Sequence, residues 1–269
     1  MSGLRSFIID THVHYYPAFS PEVICRKAVR NLDSQASESL PGIVLVDRSE
    51  WPSYADFIST LSAIVDFRVE SHQDHAVIIF SEDDLVHRLY VFKGAQRVTD
   101  EGVEILSLFS SELLSFEKQP IEDIMTQIDL AGGLLVVPWS YGKWLGKRRL
   151  AVQRVCQLGR QRGQPVFLGD ICQRPKFIDN LSVLAVEWGA TGILGGSDPL
   201  PIAQEVANIG TLGTSLEVGD NFKSLTLVAD LKKAIFSKRG EVIGSHDSIT
   251  RGAYRWIRYV ARKNKNKGG

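Results

Sequence analysis

Short apolar segments of this sequence run again and again directly into polar residues, and this recurrence restricts the fold more than any other feature. Each segment has the length and the β-branched content of a buried strand. The polar residues that follow them are Asp10, His12, His14, Asp47, Arg48, Glu104, Trp139, Ser140, Asp170, Ser197 and Asp198. Because functional loops gather at the carboxyl ends of barrel strands, we expect these residues to share one rim.

In the second half of the chain, amphipathic helical segments alternate with the apolar strand segments. Such alternation is typical of parallel βαβ units. We therefore predict an α/β fold, a (β/α) barrel of the TIM type, regular or distorted, with a hairpin-like excursion around residues 68–109. A single barrel domain is expected over residues 1–250, since a chain of 269 residues can bury a core without disulfide or metal staples.

Composition excludes several classes of protein. The 31 Lys and Arg residues balance 31 Asp and Glu residues, which argues against a general polyanion-binding protein. Three cysteines are too few and too scattered for a disulfide framework. No signal peptide is visible and no apolar run approaches the roughly 18 residues of a membrane span. We expect a cytoplasmic protein without a transmembrane segment.

The C-terminal stretch has a charge pattern of its own. No acidic residue follows Asp247, and residues 251–269 are rich in Arg and Lys. The arginines recur at the spacing of one helical face, at Arg251, Arg255, Arg258 and Arg262. A basic helix end and tail of this kind either contacts nucleic acid or an anionic surface, or is a solvated terminus. The pattern alone leaves both interpretations open.

The sharpest local signal is the segment Asp10-Thr-His12-Val-His14, at the end of the first predicted strand. Residues two apart on a strand point to the same side, so the two imidazoles can face one metal ion. Asp10 lies on that face too, as a third ligand or as a partner of the histidines. Imidazole with carboxylate suits Mn, Zn or Fe. The alternative is a pair of ordinary polar residues at a strand end.

Two further strand-to-loop segments carry candidate substrate-binding residues. Residues 138–149 contain Lys143 and Arg148 among glycines and aromatic residues, a composition that suits an anionic group or a purely structural loop. After the next predicted strand, Asp170 is a candidate to reach metal or water, and Arg174 is a candidate to bind substrate. Equally, Asp170 and Arg174 can form an ion pair with each other.

The segment FIIDTHVHYYP resembles the opening of metal-dependent hydrolases built on (β/α) barrels, in two families. One is the amidohydrolase superfamily, which needs further histidines at the ends of middle strands. No histidine lies between residues 88 and 245, so a complete amidohydrolase site is hard to build. The other is the PHP (polymerase and histidinol phosphatase) family, whose motifs fit this sequence better.

The second and third PHP motifs are matched with substitutions. An apolar strand that ends in Asp-His resembles Val46-Asp47-Arg48, where Arg48 replaces the histidine. The Gly-x-Glu motif resembles Gly94-Ala95-Gln96, where Gln96 replaces the glutamate. In the strand that follows, Glu104 stands where the family has a histidine.

The later motifs keep less of the family pattern. A strand followed by His-Pro resembles residues 135–138, with Val137 in place of the histidine. The motif Gly-Ser-Asp-x-His resembles residues 196–200, where Asp198 is retained and Leu200 replaces the histidine. The resemblance spans roughly residues 7–202.

This resemblance implies a PHP-like metal-dependent hydrolase that acts on a phosphoester or another small anionic substrate. The divalent metal would be Mn, Zn or Fe, and the remaining ligand candidates are His12, His14, Glu104, Asp198 and Asp10. Asp198 and Asp170 are the candidate catalytic acids. The missing histidines leave two alternatives open, a catalytically eroded relative that binds metal or ligand and acts through partners, and an amidohydrolase.

Overall fold

A computed structural model describes residues 4–36, 39–110, 118–140, 144, 146–175, 180–220, 222–237, 240–247 and 255. The strands are β1 (Leu4–Val13), β2 (Leu40–Asp47), β3 (Phe67–Ser71), β4 (His75–Glu82), β5 (Leu85–Val98), β6 (Glu104–Leu108), β7 (Leu134–Pro138), β8 (Val166–Ile171), β9 (Gly192–Gly196), β10 (Leu212–Gly219) and β11 (Gly240–Gly244). The helices are α1 (Pro21–Asp33), α2 (Tyr54–Ser62), α3 (Ile121–Leu130), α4 (Gly146–Arg162), α5 (Leu181–Trp188) and α6 (Leu227–Phe236). A 3-10 helix spans Ala203–Asn208.

The strands of the described chain form one sheet in the order β11-β10-β1-β2-β5-β6-β7-β8-β9, with the β3–β4 hairpin attached to β5. Strands β1, β2 and β5 are parallel to one another, and so are β7, β8 and β9. Strand β6 runs antiparallel to both neighbours, so the two parallel groups point the same way. Their carboxyl ends therefore meet at one end of the sheet.

Strands β9 and β1 approach each other closely but form no β-ladder. Thr11 Oγ1 donates a hydrogen bond to the Gly195 carbonyl oxygen at 2.9 Å, and the Asp198 amide donates to the His12 carbonyl oxygen at 2.9 Å. A Cβ atom at Gly196 would lie 2.6 Å from the backbone nitrogen of His12. Glycine at this position is what lets the two backbones approach, and the sheet becomes a nearly closed barrel.

Strand residues alternate between the barrel interior and the surrounding helices, as the period of a β-strand requires. In β2, Val44 and Val46 belong to the interior cluster, whereas Ile43 and Leu45 pack outside with α1 and α2. Helix α6 contributes to the interior cluster as well. Lys232 of α6 donates a hydrogen bond to the carbonyl oxygen of Gly132, which lies just before β7. Helix α6 therefore lies at the end of the barrel opposite the carboxyl ends of the parallel strands.

The predicted (β/α) barrel is confirmed as a fold class. The alternation of helix and strand over β7, α4, β8, α5 and β9 is parallel, as predicted. Within the hairpin-like excursion at 68–109, only β3 and β4 lie off the barrel, whereas β5 and β6 are barrel strands. The sequence pattern did not identify β3, β10, α6 or β11. Among the described helices, none is long and apolar enough to cross a membrane.

One interior feature predicts a pH dependence of stability. His75 begins β4 with 1% of its surface exposed, and its Nε2 atom is buried without a hydrogen-bond partner among the described residues. Burial, together with the nearby His72, lowers the pKa of His75 to about 4. Between that value and the ordinary pKa of 6.5, the folded state binds fewer protons than the unfolded state. The free energy of unfolding therefore falls as the pH is lowered through this window.

Replacing His75 with phenylalanine should remove this dependence. Between pH 7 and pH 4, we expect the wild type to lose about 2 kcal/mol more unfolding free energy than His75→Phe, since one pKa unit corresponds to about 1.4 kcal/mol. Urea denaturation of both proteins at several pH values measures the difference. Parallel pH profiles for the two proteins would contradict the assignment of this effect to His75.

Candidate metal centre

The two histidines of the first strand converge on one point. His12 lies near the end of β1 and His14 directly follows it, where the register with β2 shifts between Asp10 and Val13. Both side chains are buried, and their Nε2 atoms are 3.1 Å apart. The strand period places both imidazoles on one side, as predicted.

The protonation state of His14 follows from its partners. Its Nδ1 atom lies 2.9 Å from the Val46 carbonyl oxygen, which can only accept, so Nδ1 carries the proton. Burial, together with the nearby His12, holds the pKa of His14 well below 6.5. The ring is therefore neutral at pH 7, and the lone pair on its Nε2 atom faces His12 Nε2, 3.1 Å away. A hydrogen bond from the other ring nitrogen, here from Nδ1 to Val46, is what orients metal-binding histidines.

Asp198 completes the cluster from the loop that follows β9, on the other side of the barrel closure. It follows β9, and its Oδ1 atom lies 3.6 Å from His12 Nε2 and 3.8 Å from His14 Nε2. Its backbone has φ of 43°, a left-handed conformation that non-glycine residues rarely adopt. Strained residues of this kind cluster at functional sites because the surrounding structure holds them there.

The three side chains fit a divalent cation. Ligand atoms of His12, His14 and Asp198 all lie within 4.8 Å of one another, and these are the residues that form such a group within the described chain. Two imidazole nitrogens and one carboxylate oxygen form a donor set that suits Zn, Mn or Fe. The neutral state of His14 satisfies the requirement that a ligand be deprotonated.

A cationic and aromatic wall lies beside His14. The Trp51 ring is 5.2 Å from the His14 ring, and the guanidinium of Arg48 stands 4.2 Å above the centre of Trp51. Gln96 is buried as well, and it acts to raise the pKa of His14 against the larger effects of burial and His12. Arg48 and Gln96 stand where the PHP motifs have a histidine and a glutamate.

Asp10 lies next to the cluster but has a different role in this geometry. Its carboxylate is fully buried and accepts three backbone N–H groups, from Ser197 at 2.8 Å, Gly210 at 2.8 Å and His12 at 3.2 Å. Burial raises the pKa of Asp10 to about 6 against the opposing effect of these hydrogen bonds. Asp10 is outside the metal-distance group and ties the end of β1 to the loop after β9.

Asp170 and Arg174 form the ion pair that the sequence left as an alternative. Arg174 Nε and Nη2 donate to the two carboxylate oxygens at 2.7 and 2.8 Å. His246 Nε2 lies 3.0 Å from each of the same oxygens. Burial acts to raise the pKa of Asp170, but the hydrogen bonds from Arg174 and His246 outweigh it and hold the pKa below its ordinary value. Neither residue of the pair is part of the metal-distance group of His12, His14 and Asp198.

The remaining predicted residues lie elsewhere. Glu104 begins β6 half-buried and is not part of the metal-distance group. Arg148 is exposed in the first turn of α4, close to Gly102. Lys143 lies outside the described residues. Asp47 faces outward, where its Oδ1 accepts the Tyr54 amide at 2.8 Å beside a cavity of about 540 Å³.

Sequence reasoning missed the burial of Arg255. Arg255 has 4% of its surface exposed and pairs with Glu205 and Asp247. The environment of Arg255 is therefore neither a solvated terminus nor a free basic surface. No local signal marks it, because Glu205 lies 50 residues earlier in the chain.

No family model matches the sequence, and a search of the curated proteins finds no match. Solved structures do match. One is a two-domain protein from Bacteroides vulgatus that contains a predicted PHP-like metal-dependent phosphoesterase, with 12% identity and a TM-score of 0.49 over 90% of this chain and 66% of that chain. Another is the lesion-specific Endonuclease Q from Pyrococcus furiosus, with 14% identity and a TM-score of 0.54 over 88% of this chain and 57% of that chain.

A third match is Endonuclease Q in complex with a 27-mer duplex that carries an abasic lesion at the active site, with 11% identity and a TM-score of 0.49 over 86% and 57% of the two chains. The TM-score of 0.54 shows that this chain shares its barrel fold with Endonuclease Q. The chain spans 57% to 66% of the length of these structures. This shared fold agrees with the barrel that the resemblance of the opening segment implies.

Proposed function

We propose that this protein is a metal-dependent hydrolase of the PHP type that cleaves a phosphoester. The observation that carries the proposal is the convergence of His12, His14 and Asp198 at the carboxyl ends of barrel strands. In barrels of this kind, active sites are built at that end. The PHP-like fold supports the same assignment, and the phosphoesterase and endonuclease names of the matching structures suggest the substrate class.

In this proposal, His12, His14 and Asp198 hold the cation. A divalent metal in this position supplies Lewis acidity toward a phosphoryl oxygen. The Val46 carbonyl oxygen keeps the proton of His14 on Nδ1, so that Nε2 always faces the site as a lone pair. The buried Asp10 fixes the backbone of both His12 and Ser197, and thereby the distance between the strand and the Asp198 loop.

Arg48 is the residue that we assign to the anionic substrate in place of the predicted Arg174. Arg174 is already paired with Asp170, whereas Arg48 stands on the Trp51 face beside His14. A guanidinium suits the planar, bidentate recognition of phosphate oxygens. The nearby Glu50 pairs with Arg48 and orients its guanidinium.

Turnover measurements test this function. The purified protein is freed of metal with a chelator and then assayed with p-nitrophenyl phosphate and bis(p-nitrophenyl) phosphate, with and without added Mn²⁺ or Zn²⁺. We expect phosphoester cleavage that depends on the added ion and is lost in Asp198→Ala. Bound metal without turnover of any ester or amide would favour a binding protein, and turnover of amides alone would favour an amidohydrolase.

A further inference from the structure

A buried arginine from the C-terminal stretch joins elements that lie far apart in the chain. Arg255 Nε donates to Glu205 Oε1 at 2.8 Å, and its Nη2 donates to the other oxygen of Glu205. Its Nη1 donates to Asp247 and lies 3.4 Å from the sulfur of Cys172. One cation thus holds two carboxylate side chains that are 7% and 8% exposed.

Two partners of Arg255 form hydrogen bonds with the loop that carries Asp198, one before Asp198 in the chain and one after it. Before Asp198, the Cys172 thiol donates to the Ser197 carbonyl oxygen at 2.8 Å. After it, the Leu200 amide donates to Glu205 Oε2 at 3.4 Å. Arg255 contacts both Cys172 and Glu205, so a single side chain links the two anchors of this loop.

The loop needs such anchors because Asp198 holds a strained backbone. Its φ of 43° lies in the left-handed region, which costs free energy that the surrounding contacts must offset. The Gln173 side chain adds a further hydrogen bond, to the Asp198 carbonyl oxygen. Without the arginine, Glu205 and Asp247 would be buried carboxylates that have lost the cation they share. We expect them to move toward water and to release the loop.

We propose that Arg255 is a positioning residue that holds Asp198 at metal-binding distance from His12 and His14. The inference rests on the proposed metal site. It assigns to the C-terminal stretch a role inside the centre, carried through Cys172 and Glu205.

The affinity for Mn²⁺, measured by isothermal titration calorimetry, tests the role of Arg255. We expect Arg255→Met to bind Mn²⁺ at least roughly 10-fold more weakly than the wild type, the lower end of the effect seen when a partner behind a metal ligand is lost. Arg255→Lys keeps the charge but loses the bidentate geometry, and an intermediate affinity is expected. Arg30→Met is the matched control, because the Arg30 side chain is 62% exposed on α1, where it pairs with the partly exposed Glu82.

Near-ultraviolet circular dichroism establishes that each variant is folded at the temperature of the titration. A folded Arg255→Met that binds Mn²⁺ as tightly as the wild type overturns the inference and leaves the metal site intact. A wild type that binds no Mn²⁺ overturns the proposed function and the inference together. The two failures are therefore distinguishable.

Hydrogen exchange of the wild type covers the case in which Arg255→Met does not fold. Coupling between two sites is reciprocal, so Mn²⁺ must in turn stabilise the contacts of Arg255. We expect added Mn²⁺ to slow amide exchange in the peptides that contain Cys172, Glu205 and Arg255. Exchange that slows only around His12 and His14 would overturn the inference.

Discussion

Replacing His14 with alanine is expected to abolish metal binding and metal-dependent phosphoester cleavage. The ring supplies one of two imidazole nitrogens, and the Val46 carbonyl oxygen keeps its proton on Nδ1, so that Nε2 is left to bind the metal. Loss of a partner behind a ligand costs roughly 10–100-fold in affinity, so we expect the loss of the ligand itself to exceed roughly 100-fold. Titration calorimetry with Mn²⁺ and Zn²⁺ measures the affinity, and the phosphoester assay measures the rate.

Two further variants separate loss of the ligand from loss of the fold. His14→Phe fills the buried volume beside Trp51 and removes only the nitrogen atoms, so it should be folded and equally unable to bind metal. His87→Ala removes a histidine from the β4–β5 hairpin, away from the barrel rim, and should leave the affinity unchanged. If His14→Phe bound metal as the wild type does, the assignment of this ligand would be wrong.

Replacing Gly196 with alanine is expected to destabilise the barrel at its closure. The added Cβ would lie 2.6 Å from the His12 backbone nitrogen and 2.7 Å from its Cβ, distances that force the two strands apart. We expect a loss of about 3 kcal/mol in unfolding free energy, at the upper end for overpacking of a well-packed interior. In a protein of this size, that corresponds to a fall of roughly 6–12 °C in Tm.

Gly219→Ala is the matched control for this substitution. Gly219 ends β10, and a Cβ atom there would have no atom within 4 Å. We expect a change of less than about 0.5 kcal/mol, as for other surface substitutions. Guanidinium denaturation of the two variants measures the contrast. Equal stability of Gly196→Ala and Gly219→Ala would show that β9 and β1 do not need their close approach.

The sequence predicts the parts of the centre that depend on local spacing. His12 and His14 share a side because they are two residues apart on a strand, and the Gly-Gly-Ser-Asp segment marks Asp198 after a later strand. The barrel follows from short apolar segments that alternate with amphipathic helices. Strand β10 was missed because its apolar residues are interrupted by glycine and serine, and its pairing with β1 joins distant parts of the chain.

The rest of the centre depends on contacts between distant residues that no local pattern encodes. Asp170 was a candidate for metal or water, but His246 reaches it from 76 residues further along the chain. In the sequence, Arg255 is one of four arginines at the spacing of one helical face. Only the fold shows that Glu205 and Asp247 surround it. Asp10 could be removed from the candidate metal ligands only when the fold showed that its carboxylate accepts hydrogen bonds from backbone amides.

Anomalous X-ray diffraction from crystals grown with Mn²⁺ or Zn²⁺ tests the central claim most directly. The account predicts one anomalous peak at about 2.0–2.2 Å from His12 Nε2, His14 Nε2 and an Asp198 carboxylate oxygen. A peak bound by other residues, or no peak at a saturating concentration of the ion, would contradict it.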